Sequence, residues 1–182
     1  MSSPNAALKI DNHVIERENA DVFERVRLPL GDLERFDPQM IPLLRYWESL
    51  RRGGLLPAKS DIDPLSLKKF LGRIHFIDTH AAEPEQYCFT LWGSGCHLDG
   101  GQDYTRLRIG DYPSAAWRRA VTQDYQDVVK FGVPAYHLVS ALHNYQRYEY
   151  SRLILPLSEN GRQVTQLLVH VHKRPITEIK FL

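Results

Sequence analysis

A chain of 182 residues with 43% hydrophobic content can bury one sizeable core, so a single domain with an N-terminal extension is the expected division. Its 23 basic and 22 acidic residues leave a net charge of +1, which gives no electrostatic footprint for nucleic acid. No run approaches the roughly 18 apolar residues of a membrane span, and Met1-Ser2-Ser3-Pro4-Asn5 lacks the basic-then-apolar plan of a secretory signal, so a soluble cytoplasmic protein is expected.

Residues 1 to 36 are charged and weakly periodic. Ile15, Val22, Phe23 and Val26 fit one helical stripe that Asn19 interrupts, so residues 1–37 are expected to be an extension, partly helical or poorly ordered, ahead of a domain over 38–182. From Ile41 to Arg52 the residues Leu43, Leu44, Trp47 and Leu50 recur at helical spacing, and Gly53-Gly54 stops the run where a C-cap belongs. Asp61-Ile62-Asp63-Pro64 then sets a capping carboxylate before a proline, with Leu67, Phe70 and Leu71 following as a second helix. Capping accounts for Asp63 without a metal.

Ile74 to Thr79 and Tyr87 to Trp92 are strand-like, and the polar link Ala81 to Gln86 makes them a hairpin. Cys96 to Gly110 is broken by glycines into short turns. Pro113 opens the longest helix, in which Trp117, Ala120, Val121, Tyr125, Val128 and Val129 keep one stripe until Gly132. Ala135 to Leu142 alternates as a strand and turns at His143-Asn144. Cys88 and Cys96 stand alone, without a second CxxC, and are expected to be reduced and structural.

The chain is organised around Arg147 to Lys173. Asn160-Gly161 between two runs rich in β-branched, Leu and Tyr residues predicts a type I′ hairpin turn. That register sets Leu157 opposite Val164, Leu155 opposite Gln166, Leu153 opposite Leu168, Ser151 opposite His170 and Glu149 opposite His172. Both faces of this hairpin are largely apolar, so both must be covered, by helices, by a partner, or by one of each. The complete order is helix, helix, two strands, short turns, long helix, three strands. An α+β fold follows, with a five-stranded antiparallel sheet and helices on one face.

On that register Glu149, Ser151, His170 and His172 share one sheet face and form the candidate ligand-binding set, with Trp92 and Tyr125 as aromatic pocket residues. The alternative is a polar patch where the cover of the sheet ends. A metal asks for three protein ligands at fixed distance, and here only the two histidines are set by their i, i+2 spacing while the third is not, so no metal is expected. Enzyme motifs fail: Trp92 stands where a Gly-x-Ser-x-Gly elbow around Ser94 needs glycine, and Leu98 where a dinucleotide loop needs its third. Cys96-His97 are neighbours in sequence only, and no catalytic residue is assigned.

Leu44-Arg45-Tyr46-Trp47-Glu48-Ser49-Leu50-Arg51, Pro57, Asp61-Ile62-Asp63-Pro64, Ile74 to Asp78, and Tyr148-Glu149 with Arg152 to Ser158 together resemble the short stand-alone bacterial PAS-like proteins. The resemblance covers roughly residues 40 to 173. It implies a sensory or interaction module with a pocket between sheet and helices and a sheet face that often dimerises. The expectation is therefore a cytoplasmic homodimer that binds a small ligand, a signalling protein partner, or both, with no cofactor identified. The alternatives are a small enzyme using Glu149, His170 and His172 as acid and base, and a ligand-free adaptor with a filled core.

Overall fold

β6 (Gln146–Leu157) and β7 (Gln166–Lys173) lie at the centre of an antiparallel sheet in a computed structural model that describes residues 12–96 and 101–176. The remaining strands are β1 (His13–Glu18), β2 (Asp21–Leu28), β3 (Ile74–Asp78), β4 (Cys88–Trp92) and β5 (Ala135–His143). Their order is β1-β2-β5-β6-β7-β3-β4 in one 7-stranded sheet. The five expected strands are therefore contiguous, and the expected count of five is exceeded by a hairpin at the N-terminal end.

That hairpin corrects the helical reading of the extension. Phe23 and Arg25 alternate on one face of β2 and are buried, while Glu24 lies between them. Asn19 adopts φ 52 and reverses the chain between Glu18 and Asp21, so the residue read as an interruption is the turn. β2 then pairs along β5 from Val22↔Leu142 to Leu28↔Tyr136. Residues 1–11 of the expected extension, and His97 and Leu98, lie outside the described residues.

The register of β6 and β7 also differs from expectation. Leu157 faces Gln166, Leu155 faces Leu168, Leu153 faces His170 and Ser151 faces His172. The cause is the Asn160 side chain. Its Oδ1 accepts from Ser158 Oγ, Arg162 N and Gln163 N, which builds a wider loop in place of a two-residue turn. The shift is even, so every side chain keeps its predicted face. Tight two-residue reversals occur instead at Asn144-Tyr145, with φ 50 and 61, between β5 and β6, and at Asn19-Ala20 between β1 and β2.

Helices cover both faces, not one. α1 (Ile41–Leu50) buries Leu43, Leu44 and Trp47 in one cluster with Tyr136, Leu153, Leu155 and Leu168, and Trp47 Nε1 donates to Pro156 O at 2.9 Å. α2 (Ala115–Phe131) packs Trp117, Val121, Tyr125 and Val128 on the opposite face, in a cluster with Tyr150, Ile154 and Val169. Ser114 caps it by accepting from Trp117 N, and Gly132 ends it at φ 63. The two-sided apolarity of the hairpin is thus covered within one chain. Asp63 accepts from Leu65 N and Ser66 Oγ, each at 3.0 Å, but only a short 3-10 turn, Lys68–Phe70, follows where a full helix was expected. Backbone bonds from 106–109 cover the outer side of β4, including Phe89 N to Leu107 O at 2.9 Å. β1 is the remaining edge of the sheet. No helix among the described residues is long and apolar enough to cross a membrane.

Candidate ligand cavity and the polar groups around it

Alternation along β6 divides the expected site between two faces of the sheet. On the α1 face, Ser151 Oγ donates to Asp37 Oδ2 at 3.3 Å, and His172 Nε2 lies 3.5 Å from that oxygen. Arg73 Nη1 donates to His172 Nδ1 at 2.9 Å, so Nδ1 is the acceptor and Nε2 carries the proton that faces Asp37. Partial burial and the cations Arg73 and Arg174 hold the His172 ring below the usual histidine range, with Asp37 opposing them. Asp37 thus stands between serine and histidine, and among the described residues no histidine ring accepts from Ser151 Oγ, which a nucleophilic serine requires.

Glu149 and His170 belong to the same face but make other contacts. Glu149 is buried and accepts from Ser140 Oγ at 2.8 Å and Arg147 Nε at 2.6 Å. Burial, assisted by His172 and Arg73, pushes His170 down to about 4, and its ring meets Phe70 edge-on at 5.3 Å. Among the described residues no group of three or more His, Cys, Asp or Glu is poised to hold a metal ion.

Trp92 and Tyr125 lie on the α2 face. Trp92 stacks on His75 at 3.8 Å and tilts against Tyr104 at 4.9 Å. Tyr125 lies under the Arg152 guanidinium, 5.7 Å from its carbon. Sequence reasoning missed what holds that guanidinium. Asp124 on α2 gives one carboxyl oxygen to Arg152 and the other to Arg25 of β2, and His137 Nε2 lies 3.8 Å away. Burial pulls Arg152 down, but Asp124, Tyr150 and Tyr125 outweigh it and raise it further, so the cation is kept. Burial, with Arg152 and Arg25 beside it, keeps His137 neutral. The signal was present: Asp124 falls on the apolar stripe between Val121 and Val128, and Arg25 shares the face of Phe23.

A cavity of about 210 Å³ opens where β6 begins and β7 ends, walled by Arg73, Cys96, Tyr148, Tyr150, Val171 and Lys173. Glu149 and His172 also border it, whereas Ser151, His170, Trp92 and Tyr125 do not. Tyr148 and Tyr150 point to the α2 side, and Glu149 borders the cavity from the strand while its carboxyl lies across the sheet with Ser140. Burial pushes the Cys96 thiol up to about 12, with Arg73 opposing, so this wall is an uncharged thiol. A second, wider cavity of about 670 Å³ lies between β1 and α2, where Arg119 Nε is committed to Glu16 Oε2 at 2.9 Å.

The family model described as PAS domain matches residues 35–170, well over half of the chain. No curated protein and no solved structure gives a match.

Proposed function

This chain belongs to the PAS domain family, and from that premise we propose that it is a sensory or signalling module that holds a small molecule in the cavity beside Tyr148 and Tyr150 and reports its state through protein contacts. The cavity itself carries the reading. At about 210 Å³ it is the volume of about seven waters in the liquid and lies below the range of drug-sized sites, so it suits a compact ligand. Val171, Tyr148 and Tyr150 supply an apolar wall, and Arg73 and Lys173 supply polar groups that orient what enters. Of the residues expected to bind ligand, Glu149 and His172 belong to this site, with His172 acting by holding Arg73.

We read no catalytic step into the polar cluster, because the acceptors at Ser151 are Asp37 and the His172 backbone carbonyl, and not an imidazole ring. The domain over 38–182 carries the cavity, and the preceding hairpin enlarges its sheet. A cytoplasmic homodimer and a protein partner complete the reading. The edge strand β1 is the contact it offers to a second copy, and light scattering that returned a concentration-independent monomer would remove that part.

Val171→Phe fills the cavity from its wall and is the test. Phenol, a neutral probe of suitable size, is expected to raise the unfolding temperature of the natural chain and to leave that of the variant unchanged. Equal responses in the two proteins, or none in either, would count against a ligand at this site.

A further inference from the structure

We infer that the ligand of this cavity is a small carboxylic acid with an apolar body, its carboxylate held by Arg73 and Lys173 and its body by Tyr148, Tyr150 and Val171. The inference rests on the proposed cavity and adds its chemical class.

The charges around the cavity are unevenly committed. Ser140 and Arg147 both donate to Oε1 of Glu149, whose buried Oε2 has no hydrogen-bond partner, and the carboxyl of Asp37 faces Ser151 and His172. Neither forms a hydrogen bond or ion pair with Arg73. Arg73 Nη1 is fixed by His172 Nδ1 at 2.9 Å and by Gln39 Oε1 at 3.3 Å. Both partners accept without carrying negative charge, so they orient the guanidinium and leave its charge intact. Its Nε and Nη2 have no described hydrogen bond, which leaves one edge of the planar fork for a carboxylate. Lys173 adds a second cation on the same wall. An amine would meet these two cations, and a neutral molecule would leave the fork unmatched. Behind the cations Tyr148, Tyr150 and Val171 make the wall aromatic and aliphatic, with the uncharged Cys96 beside them, so the remainder of the acid is apolar. The cavity volume limits that remainder to about the size of a single ring.

The test uses the full chain with phenylacetate, phenylacetamide and phenol as probes, measured by calorimetric titration on the natural protein, Arg73→Gln, Lys173→Gln and Val171→Phe. Arg73 and Lys173 are exposed, so their replacement leaves the core unchanged, and circular dichroism checks this. Phenylacetate is expected to bind roughly tenfold to a hundredfold more tightly than phenylacetamide, and Arg73→Gln is expected to abolish that preference. Added salt should weaken the acid and spare the amide. If the amide binds as well as the acid, or the preference survives in Arg73→Gln, the acid class is wrong. The cavity reading then still stands provided phenol binds the natural chain and not Val171→Phe. If none of the probes binds the natural chain, the acid class and the cavity reading fail together.

Discussion

Asp124 of α2 and Arg152 of β6 form an ion pair in which the side chains are 1% and 3% exposed, and Arg25 of the N-terminal hairpin occupies the second carboxyl oxygen. One carboxylate therefore pairs with two buried guanidiniums and ties three elements together. Asp124→Asn leaves both cations uncompensated and is expected to cost about 3–5 kcal/mol in a urea titration. Arg25→Met keeps the Asp124–Arg152 pair intact and is expected to cost less. A loss under about 1 kcal/mol for Asp124→Asn, the scale of an exposed pair, would contradict the account.

Two buried histidines make stability depend on pH. Burial pushes His75 down to about 3, with His170 and Arg152 adding to it, and pushes His170 to about 4. Both titrate near 6.5 when unfolded, so below that pH the unfolded chain binds more protons than the folded one. Their contribution is complete above about pH 6.5 and is lost as the pH falls toward 4 for His170 and 3 for His75. The unfolding midpoint is expected to fall across this window, by up to about 1.4 kcal/mol per pH unit for each group. His170→Gln should flatten part of the slope. A midpoint that did not move between about pH 6.5 and about pH 4 would show that these rings are not buried and neutral.

Gly93 lies against the backbone that precedes β3. A Cβ placed there would come within 2.6 Å of Gly72 C and O and 2.7 Å of Ile74 O. These are main-chain atoms that cannot rotate away, so Gly93→Ala is expected to cost about 1–3 kcal/mol or more. Gly31→Ala meets nothing within 4 Å and should be neutral or slightly stabilising. Equal midpoints for the two variants would count against the close approach.

The cysteines should separate in a thiol titration. Cys88 is half-buried, while Cys96 is 3% exposed and its thiol is pushed up to about 12. Ellman's reagent is expected to modify Cys88 in the folded protein and Cys96 only after denaturation. Prompt reaction of Cys96 would mean that the cavity wall is open.

Much of this fold was legible because it rests on periodicity. Gly132 after α2 and the alternation of β5 are local signals, and the resemblance in α1 and β6 gave the same architecture, whereas α1 ends on the extended Arg51 and not at Gly53-Gly54. The hairpin β1-β2 was not legible because Ile15, Val22, Phe23 and Val26 fit a helical stripe as well as a strand, and the pairing that decides between them is with β5, far along the chain. The β6-β7 register failed for a different reason: Asn160 uses its side chain as an acceptor, which residue identity alone does not reveal.

The candidate site was legible only in part. Alternation sets Glu149, Ser151, His170 and His172 on one sheet face, but Asp37, which meets Ser151 and His172 there, comes from a loop with no pattern. Asp124, Arg25 and Arg152 come from three elements far apart in the chain, and no local pattern joins them or ties Arg73 to His172, so their network and the role of Arg73 were not legible.

The most direct test of the central claim is a native mass spectrum of the natural chain and of Val171→Phe, purified gently in parallel. A ligand held at the cavity beside Tyr148 and Tyr150 predicts a mass excess on the natural chain that the variant lacks. The same mass increment on both proteins, or none on either, would contradict it.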